Sequence, residues 1–248
     1  MNKIFLPRNN FDLIRIGGNN DGGYLVEKNS IENSNFLIGL GINDDWNFEV
    51  SFGKTFIGID NVLSQKFLFR RLIKRILLFL INPFSITRFR SLIEYFNKFF
   101  FYRKNKSCFK KTKVSNYDSN ETLSLNSILS DYNSNLFLKI DIEGSEYRIL
   151  EQILQNEKII EGLVIEFHDV DIHLKKITSF LKNTSLTLVH FHPNNFGGVD
   201  KEGNPLVIEL TFSKNPKILH SGPPKLPLKN DNPNNPFEKD IKVHFMNN

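Results

Sequence analysis

The sequence predicts an α/β fold built on an open, mostly parallel sheet with helices on both faces. Residues 136–142 alternate apolar and polar side chains as a strand does, and apolar positions from 147 to 154 then follow helical spacing. A second short apolar run, 36–38, leads into Gly39, and a third, 55–60, ends in Asp60. In open α/β sheets ligands bind outside the carboxyl ends of the strands, so residues at those ends form the candidate site.

Composition favours a reducing compartment. Cys108 is the single cysteine of the 248 residues, which excludes an intrachain disulfide framework. The first residues contain no apolar stretch of signal-peptide length, and the richest apolar run, 76–81, is far shorter than a membrane span. We therefore expect a cytoplasmic protein.

The net charge of +5 is distributed unevenly along the chain. Residues 63–113 contain 14 Lys and Arg against one acid, Glu94, so this segment carries +13 and the rest of the chain −8. We expect a single domain over 1–248 that contains this basic insert and ends in a Pro- and Asn-rich tail at 214–248.

The basic insert is predicted to form two helices, 65–81 and 86–104, separated near Pro83. Phe, Leu and Ile alternate with Arg and Lys in both, and a basic amphipathic helix of this kind suits peripheral contact with an anionic membrane. The interpretation we favour is a helical cap whose apolar face packs on the sheet and whose cationic face is solvated, because these residues must also supply the crossover to the third strand. Nucleic-acid binding is not predicted, because no RNA- or DNA-binding motif accompanies the charge.

Two carboxylates follow the strand at 136–142. Asp141 and Glu143 precede Gly144, and Glu146 lies near the predicted start of the next helix, where the helix dipole favours an anion. Asp141 and Glu143 are therefore candidate catalytic residues. A strand-to-helix turn with solvated or capping carboxylates is the alternative interpretation.

The turn after the first strand predicts a cofactor that lacks phosphate groups. Gly39 and Gly41 lie between a buried strand and a short helix that begins near Trp46, and such glycines let a cofactor approach the backbone. The third glycine of the dinucleotide fingerprint is missing. Asp44 and Asp45 follow instead, and they would repel a pyrophosphate.

Asp60 ends the strand at 55–60. An acid at the end of the strand after a glycine-rich turn is the expected acceptor for two ribose hydroxyls, and its distance from Gly41 is about the 20 residues typical of that role. We predict that Asp60 binds the cofactor ribose.

A further glycine-rich segment surrounds Asp21. The pairs Gly17–Gly18 and Gly22–Gly23 permit positive φ and close backbone approach to a ligand, so Asp21 is a candidate cofactor-binding residue. An ordinary hairpin is the alternative.

Two later strands end in titratable side chains. Glu166 and His168 share one strand face, as do His190 and His192, since residues two apart on a strand point the same way. Such groups serve either a divalent metal or general-base catalysis. The remaining predicted elements are a short helix capped by Ser124, strands at 162–170 and 185–198, a helix at 171–182, a last strand at 205–212 that pairs with the strand before it, and a tail from 215 without regular structure.

Four segments together resemble the FkbM-type S-adenosylmethionine-dependent methyltransferases. The central signature of that family is similar to LKIDIEGSEYRIL at 138–150, and a variant glycine motif is similar to LIGLGINDDWNFE at 37–49, followed by FIGIDN. RIGGNNDGGYLV and HFHPNNFGG resemble further segments. The resemblance covers about 12–62 and 120–213 and leaves the basic insert and the tail outside.

The resemblance implies a class I methyltransferase fold with seven strands, the last antiparallel, and methyl transfer to a hydroxyl of a sugar or natural product. It implies that Gly39 and Gly41 line the S-adenosylmethionine site, that Asp60 holds the ribose, and that Asp141 lies near the methyl group. We therefore expect an O-methyltransferase that acts on a small-molecule or glycan acceptor. The alternatives are a nicotinamide-dependent sugar oxidoreductase, or a non-catalytic glycan- or membrane-binding protein with the same fold.

Deprotonation of the acceptor requires a base or a metal. We expect a metal-free site in which His168 or His192 takes the proton and Asp141 orients the site. Coordination of Mg or Mn by these side chains is the alternative.

Overall fold

The computed structural model describes residues 1–133 and 135–246. Its strands, in chain order, are β1 Asn9–Phe11, β2 Leu13–Ile16, β3 Tyr24–Glu27, β4 Phe36–Leu40, β5 Thr55–Asp60, β6 Phe109–Lys111, β7 Lys113–Ser115, β8 Thr122–Ser124, β9 Leu136–Ile140, β10 Ile160–Phe167, β11 Thr187–Pro193, β12 Ile208–Ser213 and β13 Ile218–Ser221. Its α-helices are α1 Lys28–Asn33, α2 Asn47–Ser51, α3 Gln65–Ile81, α4 Ile86–Lys104, α5 Leu125–Leu129, α6 Leu150–Asn156 and α7 Val170–Asn183.

Seven strands form the central sheet in the order β11-β12-β10-β9-β4-β5-β6. β12 runs antiparallel to β10 and β11, and the other neighbouring pairs are parallel. The predicted class I methyltransferase fold, with a mostly parallel seven-stranded sheet whose last strand is antiparallel, is confirmed by this order.

Alternate residues of the central strands face two hydrophobic layers. Leu37, Phe137 and Val164 pack with apolar side chains of α2 and the β2–β3 hairpin. Ile38 and Leu138 face the opposite way and pack with α5, α6 and α7. The sheet is therefore covered on both faces, which leaves the carboxyl ends of its strands as the place where a ligand can bind.

The two predicted helices of the basic insert are α3 and α4. Each begins at a serine that accepts a backbone N–H bond three residues ahead, Ser64 from Phe67 and Ser85 from Arg88. One end of the helix pair packs against Trp46 near the start of α2. Among the described residues, no helix combines the length and the apolar character needed to cross a membrane.

Three details differ from the sequence-based expectation or resolve it. Glu143 and Gly144 have positive φ, and the chain after them first forms a 3-10 turn, Glu146–Arg148, so that α6 begins only at Leu150. The expectation of a tail without regular structure is wrong at β13, a segment free of proline that pairs with β1. The glycines around Asp21 connect β2 and β3, which pair as a hairpin, and the role of Asp21 in binding the cofactor stays a prediction.

The C-terminal tail packs over β11 and β12 through buried polar side chains. Asp231 contacts His190 Nε2 at 3.1 Å and His192 Nδ1 at 3.4 Å. Asn234 donates to Glu209 Oε1 at 2.6 Å, and its Oδ1 lies 3.1 Å from His192 Nε2. Since these side chains are buried, the tail is an integral part of the fold.

Each charge of this cluster changes the ionisation of the others. Burial raises the pKa of Asp231, but hydrogen bonds and attraction from His190 and His192 outweigh it and hold that pKa well below the usual range. Burial lowers the pKa of His192, and Asp231 and Glu209 more than reverse this, so the pKa is raised above 6.5. The Asp231–His192 interaction therefore stabilises the fold most between the unfolded-state values of 3.8 and 6.5.

We expect Asp231→Asn to lower the free energy of unfolding by about 3 kcal/mol near pH 5.5, because it leaves a buried imidazolium without its carboxylate. Above the raised pKa of His192 the imidazole is neutral in both proteins, so the difference should fall to about 1 kcal/mol near pH 9. Urea unfolding at both pH values measures the effect. Asp131→Asn, at an exposed position, is the matched control, and an equal loss at both pH values would contradict the ion pair.

Candidate functional site

A cavity of about 470 Å³ opens at the carboxyl ends of β4, β5 and β9. Its walls come from the β2–β3 turn and from the loops that follow these strands. The residues that line it include Asp21, Gly41, Asn43, Asp44, Asp45, Asp60, Lys113, Lys139, Asp141 and Glu143. The volume is in the range of small-molecule and cofactor sites.

The cavity lining carries more carboxylates than cations. Its two cations are Lys113 and Lys139. Its six carboxylates belong to Asp21, Asp44, Asp45, Asp60, Asp141 and Glu143. Such a lining attracts a ligand with positive charge and repels phosphate groups.

Gly41 brings two strand ends into direct backbone contact. A Cβ at position 41 would lie 1.5 Å from the carbonyl oxygen of Asp141, and its φ of +77° is one that side-chain-bearing residues avoid. The N–H of Gly41 donates to Ile59 O at 2.8 Å, and the N–H of Asp141 donates to Leu40 O at 2.9 Å. The close approach fixes Asp141 beside the glycine turn.

Gly39 lies within β4, where a Cβ would meet Glu49 Oε1 at 2.4 Å. It therefore makes room for this buried carboxylate and is not among the residues that line the cavity. Its role in binding the cofactor stays a prediction.

Asp60 holds the loops on both sides of the cavity. Its Oδ1 accepts backbone N–H bonds from Val62 at 2.7 Å and Leu63 at 2.9 Å, and its Oδ2 accepts from Asn43 at 2.9 Å. These bonds occupy three of the roughly four acceptor positions of a carboxylate. Ribose hydroxyls that bind Asp60, as predicted, would therefore share its two oxygens with these three backbone N–H groups.

His168 lies directly after β10 and is oriented by a buried carboxylate. Its Nδ1 is 3.3 Å from Glu146 Oε1, and the same oxygen accepts the backbone N–H of His168 at 2.7 Å. Its Nε2 faces three more carboxylates, at 3.4 Å from Glu143 Oε2, 3.5 Å from Glu166 Oε1 and 3.9 Å from Asp141 Oδ1. His168 is not itself among the residues that line the cavity, but its Nε2 faces Asp141 and Glu143, which are.

The carboxylates set the protonation chemistry of His168. Burial lowers its pKa, but the hydrogen bond to Glu146 and the charges of Glu146, Asp141 and Glu143 raise it above 6.5. Because a carboxylate can only accept, the proton of the neutral imidazole lies on Nδ1 and Nε2 can take a second one. A histidine whose orientation is fixed by a carboxylate is the usual form of a general base.

The same place offers ligands for a divalent cation. Asp141, Glu143 and His168 each present one donor atom, and within the described part of the chain these atoms lie within 4.8 Å of one another. Carboxylate and imidazole donors suit Mg, Mn or Zn, and the Nδ1 contact with Glu146 is of the kind that orients metal-bound histidines.

Lys139 is a buried cation between three carboxylates. Its Nζ is 3.7 Å from Asp141 Oδ2, and although burial lowers its pKa, Asp141, Glu49 and Glu166 raise it above the ordinary value. Glu49 is buried, and neither of its side-chain oxygens has a hydrogen-bond partner among the described residues. Burial raises the pKa of Glu49. Lys139 therefore places a positive charge between Asp141 at the cavity wall and the buried acids Glu49 and Glu166.

The structure gathers some predicted site residues and separates others. Asp141, Glu143 and His168 lie together, and Asp21 lines the cavity, where its Oδ1 accepts from Asn234. His192 is buried under the tail and does not line the cavity.

Sequence reasoning missed the roles of Lys139 and Asn234 and that of Glu146 as the partner of His168. Lys139 lies two residues after Phe137 on the same face of an otherwise apolar strand. A lysine in such a strand indicates a buried cation that needs acidic partners. Nothing local identified the partners of Glu146 and Asn234, because both act on residues more than 20 positions away.

The comparisons with known proteins agree with the family resemblance. Residues 84–186 match the family model described as methyltransferase FkbM domain, which is less than half of the chain. The match includes the central signature and also α4, although the basic insert was expected to lie outside the resemblance. No curated protein sequence matches the chain.

Two solved structures show a weak likeness. The PH0226 protein from Pyrococcus horikoshii OT3 is 9% identical, with a TM-score of 0.34 over 75% of this chain and 84% of its own. A chain of a fibrillarin/Nop5p complex is 10% identical, with a TM-score of 0.32 over 74% of each chain. Both scores are low, and the fold is assigned from the strand order of the sheet.

We expect Gly41→Ala to destabilise the protein by about 4 kcal/mol, because it adds a steric clash to an unfavourable φ. Gly53→Ala is the matched control, since Gly53 has a φ of +74° and nothing within 4 Å of an added Cβ. The free energy of unfolding of Gly53→Ala should fall by only about 1 kcal/mol. Chemical denaturation measures the free energy of unfolding of both variants. Equal decreases would show that the close approach of Gly41 to Asp141 does not contribute to stability.

Proposed function

We propose that this chain, in which residues 84–186 match the methyltransferase FkbM domain model, transfers a methyl group from S-adenosylmethionine to a hydroxyl of a sugar, a glycan precursor or a natural product. The cavity at the carboxyl ends of β4, β5 and β9 would hold the cofactor. Gly41 would let it approach the backbone, and Asp60 would accept from the ribose.

The excess of carboxylates in the cavity is the observation that carries this proposal. S-adenosylmethionine has a sulfonium and an ammonium group, which such a lining would stabilise, and it has one carboxylate but no phosphate, so its net charge is positive. A nicotinamide dinucleotide would bring its pyrophosphate close to Asp44 and Asp45 next to the glycine turn. The electrostatics of the cavity therefore favour methyl transfer over hydride transfer.

His168 is the group that we assign as general base. A sugar hydroxyl is a weak nucleophile at neutral pH, so its proton must leave as the oxygen attacks. His168 Nε2 can accept that proton, while Glu146 holds the ring through Nδ1 and stabilises the imidazolium that forms. His192 is less suitable, because it is buried and its two ring nitrogens face Asn234 and Asp231.

Asp141 and Glu143 influence proton transfer to His168, and Asp141 also influences binding of the cofactor. Their negative charge raises the pKa of His168, which strengthens it as a proton acceptor. S-adenosylmethionine supplies the methyl group as an electrophile, and the electrons of the broken carbon–sulfur bond stay on sulfur. Asp141 lies at the cavity wall, where its carboxylate would help to bind the cationic cofactor, and since the sulfonium loses its charge as the methyl group leaves, this contact contributes to binding and not to the rate of transfer.

We expect calorimetry to detect binding of S-adenosylmethionine and no binding of NAD. Asp60→Ala should weaken S-adenosylmethionine binding by about 2–3 kcal/mol, since two hydrogen bonds to a charged group are lost. Because Asp60 also holds backbone N–H groups, the ribose contact is isolated by comparing adenosine with 2′,3′-dideoxyadenosine as competitors. Wild-type protein should prefer adenosine and the variant should not, whereas an unchanged preference would remove Asp60 from ribose recognition.

We expect turnover to rise with pH through a single titration above 6.5, because the base must be neutral and its pKa is raised. Glu143→Gln should move this midpoint to lower pH, since it removes one of the charges that favour the imidazolium. His168→Gln should lower kcat on the order of 100-fold or more. The matched controls are Glu151→Gln and His220→Gln at exposed positions.

The metal-free form of the mechanism predicts that turnover survives EDTA. Loss of activity in EDTA that Mg or Mn restores would reassign Asp141, Glu143 and His168 as ligands. Cofactor binding without methyl transfer to any hydroxyl acceptor would favour the non-catalytic alternative.

A further inference from the structure

Each of the two helices of the basic insert, α3 and α4, exposes a stripe of apolar side chains. On α3 the exposed positions recur three or four residues apart, and the same is true of α4, so each stripe occupies one helix face. The α3 stripe consists of Phe69, Ile73, Leu77, Leu80 and Ile81, the α4 stripe of Ile86, Phe89, Ile93, Phe96 and Phe100, and Phe84 in the connecting turn joins them. We call these eleven residues the hairpin face.

Aromatic contacts join the two stripes into one surface. Phe69 of α3 packs on Phe99 of α4 with ring centroids 6.0 Å apart, and Phe99 packs on Phe100 at 5.6 Å. Near the connecting turn, Phe79 packs on Phe89 at 5.8 Å. The exposed fraction rises toward this turn, to 75% at Ile81 and 94% at Phe84. A helical cap would bury such residues, so packing on the sheet does not explain the outer part of the hairpin.

Exposed cations flank the hairpin face. Lys66, Arg70 and Lys74 follow one edge of α3, and Arg90 and Arg103 lie on α4. In the described ranges none of these five side chains forms an ion pair with an acid. The segment therefore presents a broad apolar surface together with uncompensated positive charge.

We propose that the hairpin face docks on an anionic lipid bilayer, with its apolar side chains inserted among the lipids and its cations at the headgroups. An apolar face with flanking Lys and Arg is the composition of interfacial helices. A second copy of the chain would bring two segments of +13 together, which is electrostatically unfavourable. Nucleic acid would satisfy the charge and leave the Phe, Ile and Leu side chains in water.

The other end of the hairpin is rigidly attached beside the cavity. Trp46 stacks on Phe101 of α4 with ring centroids 5.8 Å apart. Tyr95 of α4 donates a hydrogen bond of 2.6 Å to Asp44, a residue of the cavity wall. Docking would therefore hold the whole domain at the lipid surface in a defined orientation.

Sedimentation with sucrose-loaded vesicles tests the proposal on the full chain. We expect wild-type protein to bind vesicles of phosphatidylcholine with roughly 30% phosphatidylglycerol at low salt, and binding to fade near 0.5 M salt or on pure phosphatidylcholine. The triple variant Lys66→Gln, Arg70→Gln and Lys74→Gln should lower the partition coefficient on the order of 100-fold. The triple variant Leu80→Ser, Ile81→Ser and Phe84→Ser should lower it by roughly tenfold or more.

Matched controls change the same residue types outside the hairpin. They are Ile172→Ser with Phe237→Ser, both highly exposed, and Lys201→Gln with Lys229→Gln and Lys239→Gln. Both controls should bind as wild type, and circular dichroism should show every variant folded. No vesicle binding at low salt, or binding that the apolar variant leaves unchanged, would falsify the proposal. So would a dimer in solution that dissociates in the apolar variant, or nucleic-acid binding that persists in it while vesicles are ignored.

Discussion

The backbone contact between Gly41 and Asp141 is the constraint on which the site depends. With no side chain at position 41, the turn after β4 can lie against the carbonyl oxygen of Asp141. The two strand ends then share one edge of the cavity, and Asp60 fixes the neighbouring loops through three backbone N–H groups. A residue with a Cβ at position 41 would separate these ends, and the acids that follow them would no longer converge.

The charge balance of the site follows from where the sheet places its acids. Parallel strands end at one edge, so residues far apart in sequence contribute carboxylates to the same volume. Lys139 offsets part of this charge from within the sheet, and His168 Nε2 faces three carboxylates, two of which, Asp141 and Glu166, also act on Lys139. The remaining negative charge favours a proton on His168 or a cation beside it. Both are consistent with a site that stabilises positive charge during a reaction.

Much of the fold could be predicted from the sequence because it is encoded in local periodicity. The alternation in β9, the helical spacing of α3 and α4, and the acids at strand ends are all visible without knowledge of contacts. The partners of buried polar groups were not predictable, since they are set by tertiary packing. His190 and His192 share a strand face as expected, but Asp231 from the distant tail occupies that face. Glu146 lies in a 3-10 turn where a helix start was expected, and its partner His168 is 22 positions further along the chain.

The hydrogen bond from Asn234 to Asp21 joins residues 213 positions apart. Asp21 forms part of the cavity wall, and Asn234 also contacts Glu209 and His192. During synthesis the hairpin that carries Asp21 emerges from the ribosome early, whereas its partner emerges only after the entire central sheet. The nascent chain can therefore assemble most of its core co-translationally, but this wall acquires its final support only once residue 234 has left the exit tunnel.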